Sequence, residues 1–298
     1  MKRDFLTLCD LSIQEIESLL ERALSFKKSH KIQPTLNGKT LIMVFEKEST
    51  RTRVSFEVAM QRLGGHAISM SANNSQISRG ETYEDTARVL SRYGHGLMIR
   101  TFAHDTLKIM AQAASVPVIN GLTDSWHPCQ LLADLLTIKE RGLKKWKDLK
   151  IAWVGDGNNM ANSWMTAASL LGFQLDLACP KGFEPTHKIQ KQFSSFKNIR
   201  ILSNPKSALK DAQVINTDTW FSMGQKVSKA KTKAFAPFQL NKTLLQKAPQ
   251  NAIVLHCLPA HRGEEITDEV MDGPQSVVWD QAENRLHAQM ALLEFLLK

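Results

Sequence analysis

Short apolar runs and amphipathic stretches alternate along almost the whole chain. Runs at 41–46, 66–70, 96–100 and 116–120 read as strands in the first half. A second set follows at 150–155, 174–178, 200–202, 212–217, 252–256 and 276–279. Runs such as Leu41-Ile42-Met43-Val44-Phe45 are apolar at every position, the pattern of a strand buried on both faces. Helical periodicity fills the intervals, at 12–29, 52–63, 83–93, 104–114, 129–141 and 160–171. A last amphipathic helix, 281–297, carries Leu286, Met290, Leu293 and Leu296. The βαβ alternation predicts an α/β chain with parallel sheets covered by helices. A basic stretch at 139–150 interrupts the pattern, and the domain junction is expected there. The polar segments 71–81 and 222–234 are the expected mobile loops.

Composition narrows this picture. The chain has 298 residues, natural for two domains of ordinary size, with 43% apolar and 22% charged residues. No apolar run approaches the roughly 20 residues of a membrane span, so no membrane partner is expected. The start, Met1-Lys2-Arg3-Asp4-Phe5-Leu6, shows a basic pair but neither a long apolar region nor a small-residue cleavage site, and reads as no targeting peptide. Cys9, Cys129, Cys179 and Cys257 are scattered without C-x-x-C spacing. Neither a zinc site nor a disulfide framework is indicated, and a reducing cytoplasm fits. The net charge of +9 suits anionic small substrates or plain solubility as well as nucleic acid. The lysines are dispersed apart from Lys226, Lys229, Lys231 and Lys233, and no nucleic-acid-binding motif accompanies them. No nucleic-acid partner is expected.

Ligands of open α/β sheets bind beyond the carboxyl ends of the strands, so the residues after each apolar run carry the candidate chemistry. After the first run comes Ser49-Thr50-Arg51-Thr52-Arg53 at a strand-to-helix turn. Three hydroxyls and two guanidinium groups at a helix N-terminus form a cradle for a phosphate-sized anion, although Ser49 or Thr50 could serve only as a cap. Arg51 and Arg53 diverge by about 200° on a helix. Arg51 is therefore the expected direct ligand, and Arg53 is left open to a structural role. Arg100 ends another run and either snorkels to solvent or reaches a site. His127-Pro128-Cys129-Gln130 opens the next helix, with His127 and Gln130 able to bond a carbonyl or amide. In the second half, Gly155-Asp156-Gly157-Asn158-Asn159 resembles a dinucleotide loop, but Met160 stands where the third glycine belongs. Its asparagines can equally read an amino acid's carboxylate. Asp218 lies beyond another strand and suits an ammonium group. Cys257, in His256-Cys257-Leu258-Pro259, is either a reactive thiol or ordinary packing. One half thus offers anion-binding groups and the other amide, carboxylate and thiol groups. The chemistry reads as group transfer from a phosphorylated donor to an amino-bearing acceptor.

Taken together, the motifs resemble the carbamoyltransferases, and within them the ornithine-specific branch. The matching segments are Phe45-Glu46-Lys47 with Ser49 to Glu57, Asp85 to Arg92, His127 to Gln130, and Gly155 to Asn159. Asp218 through Gly224, His256 to Pro259 and Gln281 to Arg285 follow in family order. The resemblance implies two doubly wound parallel-sheet domains: residues 1–142 for carbamoyl phosphate and 143–280 for ornithine. Residues 281–298 would return as a helix to the first domain. It further implies that Ser49, Thr50, Arg51, Thr52 and Arg53 hold the phosphate with Gln76 and Arg100, and that His127 and Gln130 orient the carbamoyl group. Cys257, Leu258 and Arg285 would complete that site. Asn159, Asp218, Ser222 and Met223 would bind ornithine, and a homotrimer is implied.

The implied reaction joins carbamoyl phosphate and L-ornithine to give citrulline and phosphate, a step of arginine biosynthesis or of its reversal in breakdown, without metal or organic cofactor. A lysine-like amine has a pKa of about 10.4 in water, so the δ-amine must shed a proton before attack. Asp218 and Cys257 are the candidates to take it. Arg100 and His127 would stabilise the developing oxyanion, and Arg51 the leaving phosphate. Putrescine, acylated ornithine or aspartate as acceptor, or a non-catalytic basic binding protein, are the competing readings.

Overall fold

The computed structural model describes residues 2–29, 33–143, 145–221 and 228–298, and these divide into two units. Unit 1 comprises Met1–Leu136 and Glu283–Lys298; unit 2 comprises Thr137–Ala282. The expected ligands Ser222 and Met223, and Lys226, lie outside the described residues.

Unit 1 runs α1 (Ile13–Lys28), β1 (Thr40–Phe45), α2 (Thr50–Arg62), β2 (His66–Ser71), α3 (Tyr83–Tyr93), β3 (Gly96–Arg100), α4 (His104–Ala113), β4 (Val118–Leu122) and the start of α5 (Pro128–Glu140). The strands form one parallel sheet in the order β2-β1-β3-β4. The central β1 and β3 are buried because helices cover both faces, while β2 lies at an edge with His66, Ile68 and Ser69 exposed. The other edge is closed by the N-terminal segment. Phe5 bonds on both sides of Ile119 (Phe5 N to Val118 O and Asn120 N to Phe5 O, each 2.8 Å), which leaves β4 no bare edge there. Helix α1 begins on a capping box: Ser12 Oγ accepts from Glu15 N at 3.2 Å, and Glu15 accepts from Ser12 N at 2.9 Å.

Unit 2 runs β5 (Lys150–Val154), α6 (Asn159–Leu171), β6 (Gln174–Ala178), α7 (His187–Phe193), β7 (Ile199–Leu202), α8 (Pro205–Leu209), β8 (Val214–Thr217), α9 (Lys229–Phe235), α10 (Lys242–Leu245), β9 (Ile253–His256), α11 (Asp268–Met271) and the start of α12 (Val278–Leu297). Its sheet is also parallel, in the order β7-β6-β5-β8-β9. Its core gathers Ala152, Val154, Ile215, Val254, Leu240 and Val278.

Residues 283–298 of α12 are fastened to unit 1. Arg22 grips Glu294 with two bonds of 2.6 and 2.9 Å, and Lys27 Nζ donates to Asn284 at 2.9 Å. The Arg22 contact also holds the Glu294 carboxyl below the usual carboxylate range.

Two sequence expectations are corrected. Residues 276–279 are not a strand: Ser276 makes one isolated bridge to Val254, and α12 has begun at Val278. Residues 229–234 are not a loop but belong to α9, anchored by the buried Phe235. In 71–81, the chain folds into two single 3-10 turns, Ala72–Asn74 and Gln76–Arg79.

In each sheet the strand order reverses once, between β1 and β3 and between β5 and β8. Crevices at such switch points open beyond the carboxyl ends of the strands. The Ser49–Arg53 turn follows β1 and Arg100 ends β3; Gly155–Asn159 follows β5 and Asp218 follows β8.

Candidate active site

In unit 1 the turn after β1 becomes a helix start because Ser49 adopts extended backbone and its Oγ accepts from Thr52 N at 3.2 Å. The N–H groups of Thr50 and Arg51, in the first turn, have no intrahelical acceptor and remain for an anion. Thr50, Arg51 and Arg53 are exposed there, whereas Thr52 is buried. The five residues therefore do not act alike: Thr52 faces inward and accepts from Arg285 Nη2 at 3.0 Å. Arg285 Nη1 donates to Gln130 Oε1, and Gln130 Nε2 donates to Asp134 at 2.8 Å. Arg285 is 3% exposed and Asp134 fully buried, so the guanidinium charge is carried in by a hydrogen-bonded relay that ends on a carboxylate. With both ends of its amide engaged, Gln130 has a fixed orientation and still keeps one N–H for a ligand.

Arg100 comes from β3, where a register shift between Ile99 and Arg100 re-aims the strand end. Gly121 is the residue passed over there, since Ile99 pairs with Asn120 and Arg100 with Leu122. Arg100 is 6% exposed. Glu46, just after β1, ties the strand ends together: it accepts from Tyr83 Oη at 2.6 Å and from Thr101 Oγ1. The Tyr83 phenol is pushed up to about 12, chiefly by that bond. His127 is buried, and its pKa is held well below the usual histidine value by burial first, then by the charges of Arg285 and Arg100. His127 is thus neutral at physiological pH, suited to hydrogen-bond a carbonyl rather than to serve as a charged acid. Arg100, His127, Gln130, Thr52 and Arg285 are one electrostatic neighbourhood. Gln76 is exposed on its 3-10 turn, and no hydrogen bond joins its side chain to that neighbourhood among the described residues.

In unit 2 the hub is Asp218. One carboxylate oxygen accepts from Asn158 Nδ2 at 2.9 Å; the other accepts from Cys257 Sγ at 3.0 Å and Thr219 N at 2.8 Å. Asn158 also caps α6, its Oδ1 accepting from Met160 N at 2.9 Å and Ala161 N at 3.2 Å. Asn158 therefore ties the start of α6 to Asp218. Asn159 occupies the first helical position beside it, half-buried. The turn is tight because Gly157 lies under the chain crossing above: a Cβ there would sit 2.1 Å from Pro185 N. This crossing accounts for the second glycine of the G-x-G.

Cys257 and Leu258 leave β9 in a constrained bend. Leu258 has φ 58°, a left-handed conformation unusual for its side chain. Its N–H donates to His256 Nδ1 at 2.9 Å, so the imidazole proton is on Nε2, which faces Glu265 at 3.1 Å. Glu265 also accepts from His261 N at 2.6 Å. His256 and Glu265 are fully buried and hold the bend; neither was singled out by the sequence as a site residue, because a single His or Glu at a strand end carries no distinctive signal.

Residues 3–140 match the model of the aspartate/ornithine carbamoyltransferase carbamoyl-P binding domain, and 147–296 that of the Asp/Orn binding domain. An ornithine carbamoyltransferase of Syntrophotalea carbinolica is 50% identical over 302 residues, covering 100% of both chains. That of Methanocorpusculum labreanum is 51% identical, covering 98% of this chain and 97% of its own. Among solved structures, the ornithine carbamoyltransferase from Pyrococcus furiosus superposes with a TM-score of 0.94 at 50% identity, covering 99% of this chain and 97% of that one.

Proposed function

Because the chain belongs to the aspartate/ornithine carbamoyltransferase family, we propose that its two polar clusters are the donor and acceptor sites of a single group transfer. The protein is an ornithine carbamoyltransferase in activity: it moves the carbamoyl group of carbamoyl phosphate to the δ-amine of L-ornithine, releasing citrulline and phosphate. The observation that carries this reading is the sorting of charge between the two switch points. Cationic and N–H groups gather at one, and a carboxylate with a thiol at the other.

On this reading the phosphate sits on the first turn of α2, against Arg51 and the N–H groups of Thr50 and Arg51, with Ser49, Thr52, Arg53, Gln76 and Arg100 around it. Neutral His127 and the remaining N–H of Gln130 bond the carbamoyl oxygen and amide, and Arg100 and Arg285 stabilise negative charge as the carbonyl becomes tetrahedral. Cys257 and Leu258 contribute the thiol and the main chain of the bend. Asp218 takes the α-ammonium of ornithine, with Asn159, Ser222 and Met223 as further ligands. The δ-amine attacks in its neutral form, and the Asp218–Cys257 pair receives or relays its proton. Phosphate leaves toward the Arg51 cradle. Aspartate as acceptor would need cations where Asp218 and Cys257 stand.

The decisive experiment is an acceptor panel with carbamoyl phosphate. Citrulline is expected from ornithine, with turnover of putrescine, acetylornithine and aspartate lower by at least about 10²-fold, the scale set by leaving buried polar groups unpaired. Faster turnover of any other acceptor overturns the assignment.

We also assign the protein to a homotrimer, to the cytoplasm and to arginine biosynthesis. The β2 edge, with Ile68 at 53% exposed, together with the exposed Val54 on α2, supports self-association through unit 1. Sedimentation equilibrium should give a mass near three times 33.5 kDa, and a monomer would refute it. The four cysteines, none of them in a disulfide, fit a reducing compartment, and among the described residues no helix is long and apolar enough to cross a membrane.

A further inference from the structure

Helix α9 carries the lysine-rich stretch to which the motifs give no role. Lys229 and Lys233, one turn apart, are exposed, whereas Lys231 points about 200° away from either and is turned inward. Its Nζ donates to Asp156 Oδ2 at 2.8 Å, with the two side chains only 12% and 14% exposed. The ammonium also lies 5.2–5.3 Å from the ring centroids of Phe183, Phe221 and Phe235. Drawing a strongly hydrated charge into such a place is costly unless a specific partner compensates it. That partner, Asp156, stands two residues before Asn158, in the same turn that locks Asp218.

Two carboxylates therefore flank one turn. Burial pushes the Asp156 carboxyl up, the bond and charge of Lys231 pull it back, and the charge of Asp218 pushes it up again. The other titratable groups facing Asp156 are Lys231 and, more distantly, Cys179, on which Glu184 also acts; Cys257 adjoins Asp218. We infer that Lys231 sets the charge of the acceptor site: it cancels Asp156, so that Asp218 alone presents negative charge to the acceptor's α-ammonium group. The inference rests on the reading of Asp218 as the acceptor's carboxylate. Lys231 touches neither substrate and is a positioning residue. Its consequence is for proton loss. An uncancelled second carboxylate would hold the proton on the δ-amine to higher pH and slow attack at neutrality.

The test is kcat as a function of pH, at saturating ornithine and carbamoyl phosphate, in the full chain, for wild type, K231M, K231R, D156N and K231M/D156N. In K231M the apparent pKa of the rising limb should move up by about one unit. The rate at pH 7 should then fall about tenfold, with KM for carbamoyl phosphate unchanged. D156N alone leaves Lys231 uncompensated and should move the limb down. K231R and the double variant should return it toward wild type. A uniform loss of kcat at every pH, with no rescue by the double variant, would make Lys231 merely structural and overturn the inference. D156N keeps the inference testable if K231M does not fold, since an unmoved or raised limb in D156N also overturns it. Wild-type protein that forms no citrulline from ornithine refutes the underlying acceptor reading instead, and is distinguished before any variant is compared.

Discussion

Arg51→Met is expected to lower kcat/KM for carbamoyl phosphate by about 10³-fold while leaving the thermal midpoint within a degree or so of wild type. The separation of the two effects follows from where Arg51 stands. It is exposed on the first turn of α2 and its side chain makes no hydrogen bond or ion pair with another described residue, so the fold does not depend on that side chain. Its guanidinium is available for a planar, bidentate grip on the departing phosphate, which a methionine of similar length cannot give. The inhibition constant of inorganic phosphate should rise in parallel, since product phosphate occupies the same cradle. Arg53→Met serves as the internal comparison. Two residues on, it diverges from the anion by helix geometry, and a loss of no more than about fivefold is expected. Near-normal turnover by Arg51→Met would remove the cradle from the mechanism. An equal loss in both variants would replace a directed ligand by a general cationic field.

Asp218→Asn should reduce kcat/KM for ornithine by about 10²- to 10³-fold and change KM for carbamoyl phosphate by less than about threefold. The substitution keeps the size of the side chain and an oxygen able to accept from Asn158 Nδ2 or Thr219 N. What it removes is the negative charge that holds an ammonium group and one of the two acceptor oxygens, of which Thr219 N and Cys257 Sγ share one and Asn158 Nδ2 takes the other. Both losses fall on the acceptor. Equal impairment of the two substrates would mean that Asp218 supports the unit's structure and does not bind ornithine.

The fold was legible because parallel strands buried on both faces announce themselves as continuous apolar runs, and the residues after those runs then pointed to the site. The failures have local causes. Ser276-Val277-Val278-Trp279 has the composition of a strand, yet a run of four cannot be told from the first turn of a buried helix by pattern alone, and α12 claims it. The lysine-rich 229–235 shows no apolar period, but Phe235 is buried and the inward face of Lys231 is lined by rings, which holds the helix. The Ser49–Arg53 cradle was visible as a cluster, and its division into an outward Arg51 and an inward Thr52 was not. Asn158 was legible only as one of a pair of asparagines, and Lys231 not at all as a site residue, because each acts through a partner 60 or 75 residues away; His256 and Glu265 act through each other in a bend that no pattern announces.

The position of Arg285 in the chain has a consequence for biosynthesis. Unit 1 is begun by Phe5 closing the edge of β4 and is finished only by residues 283–298, which bring Arg285 onto Thr52 and Gln130. A nascent chain that has emerged through β4 and α5 possesses the whole sheet of that unit and still lacks the guanidinium at the centre of its buried relay. Domains generally fold as they leave the ribosome, in N-terminal order. Here the first domain to emerge becomes chemically complete only after the second has been synthesised, because Arg285 follows the whole of unit 2 in the chain.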